Sequence, residues 1–437
     1  MSSVTAKQSD ALAHYRTLFE ERFQGDPLLE QRRSALERFL SAGFPTQRDE
    51  AWKYTSLRRI ESRAFRLGEQ RPVAIETAPW IEGAGYRVVF LNGRWAPSLS
   101  AGTPLPPGAT LVTLGEWLKH APDEALAYTS RAGQAEASAL EHLNAAFFED
   151  GIVLQLSKDA ILDEAIHVVH LWTGVAEPAM SHPRILVRAD RNSRCVLVEQ
   201  FVALADAEAW TNAVTAIELE PNASVRHYRL QQESTRAFHT GHVTVHVRDN
   251  ARYDVHDLSF GAALSRVNTT VFLEGSGAHA ELHGLLAPVG SQHHDAHTRI
   301  EHIAPHTTSS EEYRGIAAGR GRGVFNGKVL VHPGAQKTDA RQSSRNLLLS
   351  ATAEIDAKPE LEIYANDVKC SHGATTGQLD ATALFYLRSR GLSEDEARVL
   401  LIRAFAEALL SSIEQPRVHD YLEALLAARF GSAPVTP

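Results

Sequence analysis

GRGRGVFNGKVLVHPGAQKTDA, residues 319–340, is the segment that is most informative about the fold. It contains Lys328 to Val331, a short run that is rich in β-branched residues and bounded by glycine and proline, which predicts a β-strand. Asn326-Gly327, directly before this run, would also suit the turn of a β-hairpin. The segment therefore indicates a β-rich fold and leaves the connection between its strands open.

The glycine-rich beginning of the segment does not fit a nucleotide-binding loop. A P-loop ending at Gly327-Lys328 would need Gly at position 322 and Ser or Thr at position 329, where Arg322 and Val329 stand. The dinucleotide-binding fingerprint fails in the same way, because it would need Gly at position 324. We therefore expect a tight basic turn between strands and no hydrolysis of ATP by this chain.

Similar short runs, rich in Val, Ile and Thr, recur from about residue 150 to about residue 370. They include Ile152 to Leu156, Ile166 to Trp172, Ile185 to Val187, Val196 to Val202, Val243 to Val247 and Val271 to Leu273. No long helical stretch separates them, so this region is predicted to be all-β. The spacing fits a sandwich, a barrel and a stacked β-solenoid alike. No strict repeat is visible, so a solenoid would have irregular rungs.

Helical periodicity appears at both ends of the chain, from the N-terminus to about Ile60 and again after Asp380. The second helical part has a capping-box pattern, Ser393 to Glu396, before a broad apolar stripe. The stripe consists of Ala397, Leu400, Leu401, Ala404, Phe405, Ala408 and Leu409. We therefore divide the chain into an N-terminal helical and mixed region (1–150), a β core (151–380) and a C-terminal helical region (381–437).

The composition is that of a globular protein with an acidic balance. The 44 basic and 53 acidic residues give a net charge of -9, which does not favour nucleic acid or an anionic membrane as a partner. The N-terminal residues are polar, and no stretch approaches the ~20 apolar residues that span a bilayer. Two cysteines, Cys195 and Cys370, form neither a zinc motif nor a disulfide framework. We expect a cytoplasmic protein.

Histidine is concentrated in one part of the β region, where 12 of the 21 histidines lie between His227 and His306. The segment containing His293, His294 and His297 is typical of a first-row metal site, and His242 and His246 would share a strand face. A metal site needs several ligands that converge on one point, which density along the chain does not establish. We expect surface and cross-strand histidines, with a histidine-rich metal-binding module as an alternative.

A thiol and an imidazole lie two residues apart in the segment Asp367 to Thr375. On a strand, Cys370 and His372 project from the same face, about 7 Å apart along the chain. Lys369 projects from the other face, although a nearby cation can lower the pKa of a thiol. Such a pair is found as a nucleophile with its base, as half of a metal site, or by chance at the end of a core strand.

Long motifs around these features resemble the SufB/SufD family of iron-sulfur cluster assembly proteins. The motifs are Gly323 to Ala340, Leu361 to Thr375, Gly377 to Asp380 and Leu384 to Gly391. The resemblance is most specific from about His293 to Gly391, and Pro45 to Thr55 is similar to the family's Trp-Lys-Tyr-Thr element. The SufB branch has Glu where Gly373 stands, so this sequence is more similar to the SufD branch.

The resemblance implies a mainly β fold, with a right-handed parallel β-helix core and helical regions at both ends. It implies a non-catalytic scaffold subunit of the SUF system that supports cluster assembly and iron acquisition. Its implied partners are a SufB-like paralogue, bound through the β-helix, and a SufC-like ATPase, bound through the C-terminal helical region. An isolated chain could form a homodimer through the surface meant for SufB.

The resemblance also implies where the site lies. His372 matches the family histidine implicated in cluster formation or iron entry at the SufB interface, and Cys370 matches its neighbouring thiol. No cofactor is expected to bind stably to this chain alone. A transient iron-sulfur cluster or iron ion, with His372 as a metal ligand, would be shared with the partner, because clusters usually need four thiolate or histidine ligands.

A β-helix enzyme acting on polysaccharide is the alternative from another functional class. Its chemistry would need grouped carboxylates, for calcium or acid-base work, and a basic residue near them. The candidates in the β region are Asp254, Asp257 and Glu281, which are scattered along the sequence. We expect no compact carboxylate group.

Overall fold

Two sheets of mainly parallel strands enclose a common hydrophobic core. The computed structural model describes residues 2–431 apart from 71–72, 74, 76–77, 103, 121–136 and 175–176. The chain alternates between the two sheets, so each turn adds one strand to each of them, and about eight turns stack into a β-solenoid. The expected mainly β solenoid with helices at both ends is confirmed, and the sandwich and the barrel are excluded.

Each sheet is a long ladder in which neighbouring strands come from successive turns. In spatial order, the first sheet contains β4 (Ala109–Thr113), β5 (Gly151–Leu156), β8 (Arg184–Ala189), β10 (Ala209–Leu219), β12 (Phe238–Val247), β14 (Leu264–Leu273), β16 (His293–His302), β18 (Arg322–Val331) and β20 (Glu354–Ile363), with β1 (Arg66–Leu67) and β7 (Ala179–Ser181) beside them. The second sheet contains β3 (Arg94–Trp95), β2 (Tyr86–Leu91), β6 (Ile166–Trp172), β9 (Arg194–Ala203), β11 (Ser224–Gln232), β13 (Arg252–Ser259), β15 (His279–Leu286), β17 (Thr308–Ala317), β19 (Asp339–Leu348) and β21 (Lys369–Gly377). Only the pairs β2–β3 and β4–β5, at the N-terminal end of the described sheets, are antiparallel.

The rungs have unequal lengths, as expected. Phe238 pairs with Leu264 and Arg322 pairs with Glu354, and the second of these intervals along the chain is the longer one. The difference in rung length lies in the turns, because the strands themselves stay in register over their whole length. A solenoid of this kind leaves no fixed period in the sequence.

The glycine-rich segment contains both a turn and the beginning of a strand. The turn around Gly319 is the expected one, but β18 begins at Arg322 rather than at Lys328. Asn326 and Gly327 therefore lie in the middle of a strand, and the hairpin interpretation is wrong. Gly327 is closely packed there, because a Cβ atom at this position would lie 2.2 Å from Gln342 Nε2 and 2.7 Å from Phe325 Cζ, so these side chains would have to shift.

The solenoid interior contains a fully buried polar layer among its apolar side chains. Arg229 lies with its Nε 3.3 Å from Glu199 Oε2, and its Nη1 donates to Asp257 Oδ1 over 3.3 Å. Although burial alone would raise it, the positive charge of Arg229 and the contact with His227 lower the pKa of Glu199 to about 2. Buried charges of this kind are tolerated only when they are paired and hydrogen-bonded.

Helices cover the outside of the solenoid at both ends of the chain. They are α1 (Ser2–Arg22), α2 (Leu29–Ala42), α3 (Arg58–Glu61), α4 (Leu114–His120), α5 (Ala139–Phe147), α6 (Ala381–Ser389), α7 (Glu394–Leu410) and α8 (Pro416–Phe430). Aromatic side chains of α1 and α2 pack with Trp210 and Phe238 of the first sheet, whereas α7 and α8 pack on the second sheet. None of the helices in the described part of the chain is long and apolar enough to cross a bilayer.

The segment Pro45 to Thr55 contacts the solenoid through Trp52 and Thr55, which are both buried. The Trp52 ring lies 3.7 Å from the guanidinium carbon of Arg266, a cation–π contact. Thr55 Oγ1 donates to Asp295 Oδ2 over 2.5 Å, and Arg266 Nη1 donates to the same carboxylate oxygen over 3.0 Å. Trp52 and Thr55 therefore join this segment to strands β14 and β16.

The capping box of α7 is confirmed, but only part of its apolar stripe is buried. Ser393 Oγ accepts from the backbone N–H of Glu396, whose carboxylate accepts from the backbone N–H of Ser393. Ala397 and Leu409 of the stripe are buried, whereas Leu400 remains 45% exposed. The helix instead buries Ile402, Ala406 and Leu410, because it packs between β15, β17 and α8. A broad apolar stripe does not specify which part of it faces the core.

We predict that Gly261→Ala lowers the free energy of unfolding by about 1–3 kcal/mol, since overpacking costs that much. A Cβ atom at this position would collide with the backbone carbonyl of Glu233 in the preceding rung, which cannot move aside as a side chain can. Urea denaturation of both proteins measures the difference. Gly373→Ala is the matched control, because nothing lies within 4 Å of its Cβ position, and a change within about 0.5 kcal/mol is expected. Equal losses in the two variants would contradict the packing argument.

Candidate functional site

The candidate residues Cys370 and His372 lie on β21, the last strand of the second sheet. In the parallel register, Cys370 is opposite Ala340 and His372 is opposite Gln342 of β19. Ala340 and Gln342 are buried while their neighbour Arg341 is exposed, so the face that Cys370 and His372 share is the inward face of the solenoid. Within the described residues no strand pairs beyond β21, so this inward face is open at the last rung.

The thiol and the imidazole have different environments. Cys370 is half-buried and packs against a small apolar cluster that includes Ala340 and Val368. Burial, and to a smaller extent the charge of Asp339, raise the pKa of the Cys370 thiol, so the net effect is opposite to the lowering that a nearby cation could produce. His372 is exposed. The thiol is therefore protonated at neutral pH until a metal ion replaces its proton, whereas the imidazole is directly accessible.

Cys195 is less accessible to a ligand than Cys370. It is fully buried in the main hydrophobic core, and burial raises the pKa of its thiol to about 12. Cys370 is thus the accessible thiol of the chain. One thiol and one imidazole supply two of the four protein ligands that a cluster or a tetrahedral metal ion usually takes.

Two polar residues beneath His372 belong to the same column of side chains and are not singled out by the sequence. Gln342 follows directly in the next rung, and Glu311 of β17 follows in the rung after that. Gln342 Nε2 donates to Glu311 Oε2 over 2.6 Å, and both side chains are buried. Burial raises the pKa of Glu311 to about 7. From the open rung, a column of polar side chains therefore runs along the solenoid axis over the next two rungs. It ends at the titratable carboxyl group of Glu311.

No spacing rule could have revealed this column, because Glu311, Gln342 and His372 are separated by whole rungs of variable length. The sequence offers only one signal for the column. An amide in one strand and a carboxylate in another stand at positions whose alternate neighbours are otherwise small or apolar. That signal is equally typical of a strand with one face in solvent.

The histidines of the cluster between His227 and His306 do not form a single metal site. His294 Nε2 is 2.7 Å from the carbonyl oxygen of Gly261, His293 Nε2 is 2.7 Å from Thr55 Oγ1, and His297 Nε2 is 3.0 Å from Asp295 Oδ1. The expectation of surface histidines is wrong for much of the cluster. Fully buried members are His227, His239, His294 and His302.

His242 and His246 share a face of β12, as the spacing predicts, but they contact different carboxylates. His242 Nδ1 is 3.6 Å from Glu141 Oε2, and His246 Nδ1 is 3.0 Å from Glu274 Oε1. The two imidazoles therefore pair with carboxylates from different parts of the fold and do not point to one shared metal ion.

Two of the three scattered carboxylates come together, contrary to expectation. Asp254 of β13 lies opposite Glu281 of β15 in the parallel register, and His279 of β15 lies close to both. Asp257 is separate, because it faces the interior, where it accepts from Arg229. The stacking of rungs thus creates a compact group that is not visible along the chain.

Helix α6 exposes large aromatic side chains on its surface. This helix buries none of its residues, and Phe385 and Tyr386 are 73% and 55% exposed. Exposed aromatic residues of this size on one short helix are typical of a protein–protein contact.

Comparison with known proteins gives a consistent result over almost the whole chain. Residues 171–405 match the family described as SUF system FeS cluster assembly, SufBD core domain, and residues 9–168 match the SufBD protein N-terminal region. The chain is 32% identical over 413 residues to an iron-sulfur cluster assembly SufBD family protein of Synechocystis, which covers 92% of this chain and 91% of the relative.

Two further relatives show similar coverage. The chain is 30% identical over 429 residues to the iron-sulfur cluster assembly protein SufD of Escherichia coli, covering 96% of this chain and 97% of the relative. It is 30% identical over 406 residues to the chloroplastic protein ABCI7 of Arabidopsis thaliana, covering 90% of this chain and 84% of the relative.

We predict that Glu311→Gln makes the free energy of unfolding less dependent on pH between about 4.5 and 7. The folded-state pKa of Glu311 is raised from 4.5 to about 7, so its contribution to stability is fully present below pH 4.5 and is lost as pH rises to 7. The variant, which cannot ionise, should be more stable than the parent at pH 8, by up to about 3 kcal/mol.

Urea denaturation of parent and variant at pH 4.5, 6 and 8 provides the measurement. Glu220→Gln, at a half-buried position in a turn between β10 and β11, controls for the general loss of one carboxylate. A constant difference between parent and Glu311→Gln across this pH range would show that Glu311 ionises normally.

Proposed function

Because the chain belongs to the SufBD family of iron-sulfur cluster assembly proteins, we propose that it is the SufD-type subunit of an assembly scaffold. In this proposal it pairs with a SufB-type paralogue and binds a SufC-type ATPase. It acts as a non-catalytic subunit that supports cluster assembly and iron acquisition. The observation that carries the proposal is the position of Cys370 and His372 on the open last rung of the solenoid.

An open rung supports pairing with another solenoid. The backbone groups along the free edge of β21 are able to pair with a strand from another chain. A paralogue with the same kind of rung would offer a matching edge and would bring its own ligands next to Cys370 and His372. A second copy of this chain would also fit the edge, so an isolated protein is expected to form a homodimer there.

Ligand number supports a shared cluster or iron ion. With Cys195 enclosed in the core, Cys370 and His372 can offer at most two of the usual four ligands. The remaining ligands would come from the partner, and the cluster or iron would be the cargo of the assembly rather than a resident cofactor. A transient site of this kind agrees with a thiol that keeps its proton until metal binds.

The C-terminal helical region supports the ATPase contact. The chain has no P-loop at its glycine-rich segment, so ATP hydrolysis would be the work of a partner. The exposed Phe385 and Tyr386 on α6 are the side chains that such a partner would bury. The core-facing part of α7 is already used by the contact with the solenoid.

We predict that co-expression with SufB-like and SufC-like proteins yields one complex, and that Phe385→Ala reduces the co-purified ATPase by roughly tenfold or more, as loss of an aromatic anchor does. The SufB-like subunit should remain bound, because it uses β21. Ile161→Ala is the matched control, since Ile161 is an exposed apolar residue outside the C-terminal region. Failure of the parent chain to co-purify with either partner would refute the proposed assembly.

We further predict that His372→Ala leaves the fold and the complex intact but reduces cluster assembly in cells that contain the variant as their only copy. Cys370→Ser should have the smaller effect if the thiol only supports the imidazole, and the reverse order would exchange their roles. Activity of an iron-sulfur enzyme in the cell extract measures assembly. His120→Ala, at an exposed histidine of α4, is the control. Normal assembly with His372→Ala would remove His372 from the site.

A further inference from the structure

A compact group of a histidine and two carboxylates lies on the outer face of the second sheet. Asp254, His279 and Glu281 belong to the adjacent strands β13 and β15, and one ligand atom from each lies within 4.8 Å of the others. Among the described residues, no other three His, Cys, Asp or Glu side chains bring ligand atoms this close together. The group is formed by rung stacking, which places Glu281 directly beside Asp254.

The imidazole of His279 is oriented as a metal ligand would be. Its Nδ1 lies 2.6 Å from Thr308 Oγ1 in the next rung, so this nitrogen is occupied by a hydrogen bond outside the group. Its Nε2 is 3.8 Å from Glu281 Oε2 and has no hydrogen-bond partner in the described part of the protein. Histidine ligands usually hydrogen-bond through the nitrogen that does not bind the metal.

Each of the two carboxylates has one oxygen that bears on metal binding. In Asp254 this oxygen lacks a hydrogen-bond partner, and in Glu281 it is held by a neighbouring histidine. The side chain of Asp254 is only 7% exposed, and its Oδ1 has no hydrogen-bond partner among the described residues. A buried oxygen without a partner is unfavourable, and a cation would satisfy it. Glu281 Oε1 is held by His283 Nε2 at 3.1 Å, which fixes the carboxylate in place.

An arginine occupies the position that a cation would take. Arg252 Nε donates to Asp254 Oδ2 over 2.8 Å, and its Nη2 donates to Glu281 Oε2 over 2.5 Å. The side chain of Arg252 is 45% exposed and can therefore move into solvent. Arg226 lies further away, 3.7 Å from Asp254 Oδ2, and its Nη2 donates to Glu414. A divalent ion between the two carboxylates would balance their negative charges once the Arg252 guanidinium has left.

We propose that Asp254, His279 and Glu281 form a binding site for a divalent first-row transition-metal ion, with Arg252 as the competing internal cation. One imidazole nitrogen and carboxylate oxygens are donors that suit Zn²⁺, Fe²⁺ or Co²⁺, whereas Mg²⁺ and Ca²⁺ prefer oxygen ligands alone. Three protein ligands leave at least one coordination position open. The site stands apart from Cys370 and His372 and does not rest on the proposed function.

The test is a titration of the full chain with Co²⁺, followed by its visible absorption and by calorimetry. Cys370→Ser and His372→Ala are introduced into every protein, so that metal bound at the last rung is not counted. In this background we expect one Co²⁺ per chain, an affinity at least about tenfold weaker after His279→Ala, and a tighter site after Arg252→Gln. Competition with Zn²⁺ should remove the absorption.

His246→Ala is the matched control, because His246 also pairs with a carboxylate, Glu274, on an outer strand face. Its affinity for Co²⁺ should equal that of the background protein. Absence of bound Co²⁺ in both the background protein and Arg252→Gln would overturn the proposal. So would equal affinities before and after His279→Ala. If His279→Ala fails to fold, Arg252→Gln still decides the question. A site that is occupied by the Arg252 guanidinium must bind Co²⁺ more tightly once that guanidinium is removed.

Discussion

In-register stacking of parallel strands controls how the side chains of this protein meet. Each strand of a sheet hydrogen-bonds to the strands one turn before and one turn after it, so an inward side chain lies about 4.8 Å from the inward side chain of the next rung. Side chains therefore form columns along the solenoid. A residue in such a column must suit the residues directly above and below it, even though each of them is a whole turn away in the sequence.

The polar columns show how this constraint is met. Inside the solenoid, Glu199, His227, Arg229 and Asp257 satisfy one another within a few neighbouring rungs. A single unmatched charge would be costly there, and the complete layer is accommodated because each member has a partner. The column that leads from Glu311 to the last rung differs, because its final member is exposed. The same stacking on the outer face brings two carboxylates and an imidazole together.

Much of the fold and part of the candidate site follow from local patterns. Alternation along β21 is sufficient to place Cys370 and His372 on one face, and the capping box at Ser393 correctly marks the beginning of α7. Patterns of this kind depend on residues two to four positions apart, which one strand or one helical turn brings together. The partners of His279, the carboxyl group beneath His372, and the burial of the clustered histidines depend on neighbouring rungs instead. Turns of variable length set those neighbours.

The amino-acid sequence was enough to establish the β-rich middle with helical ends, the small number of thiols, and the motifs that relate the chain to the SufBD family. The three-dimensional packing was needed to establish that Asn326 and Gly327 continue a strand, that Leu400 stays exposed while Ile402 is buried, and that His279 meets two carboxylates. The physical reason is that periodicity specifies the face of an element on which a side chain lies. What that face meets depends on how the rungs and helices pack, and the packing is determined by the whole chain.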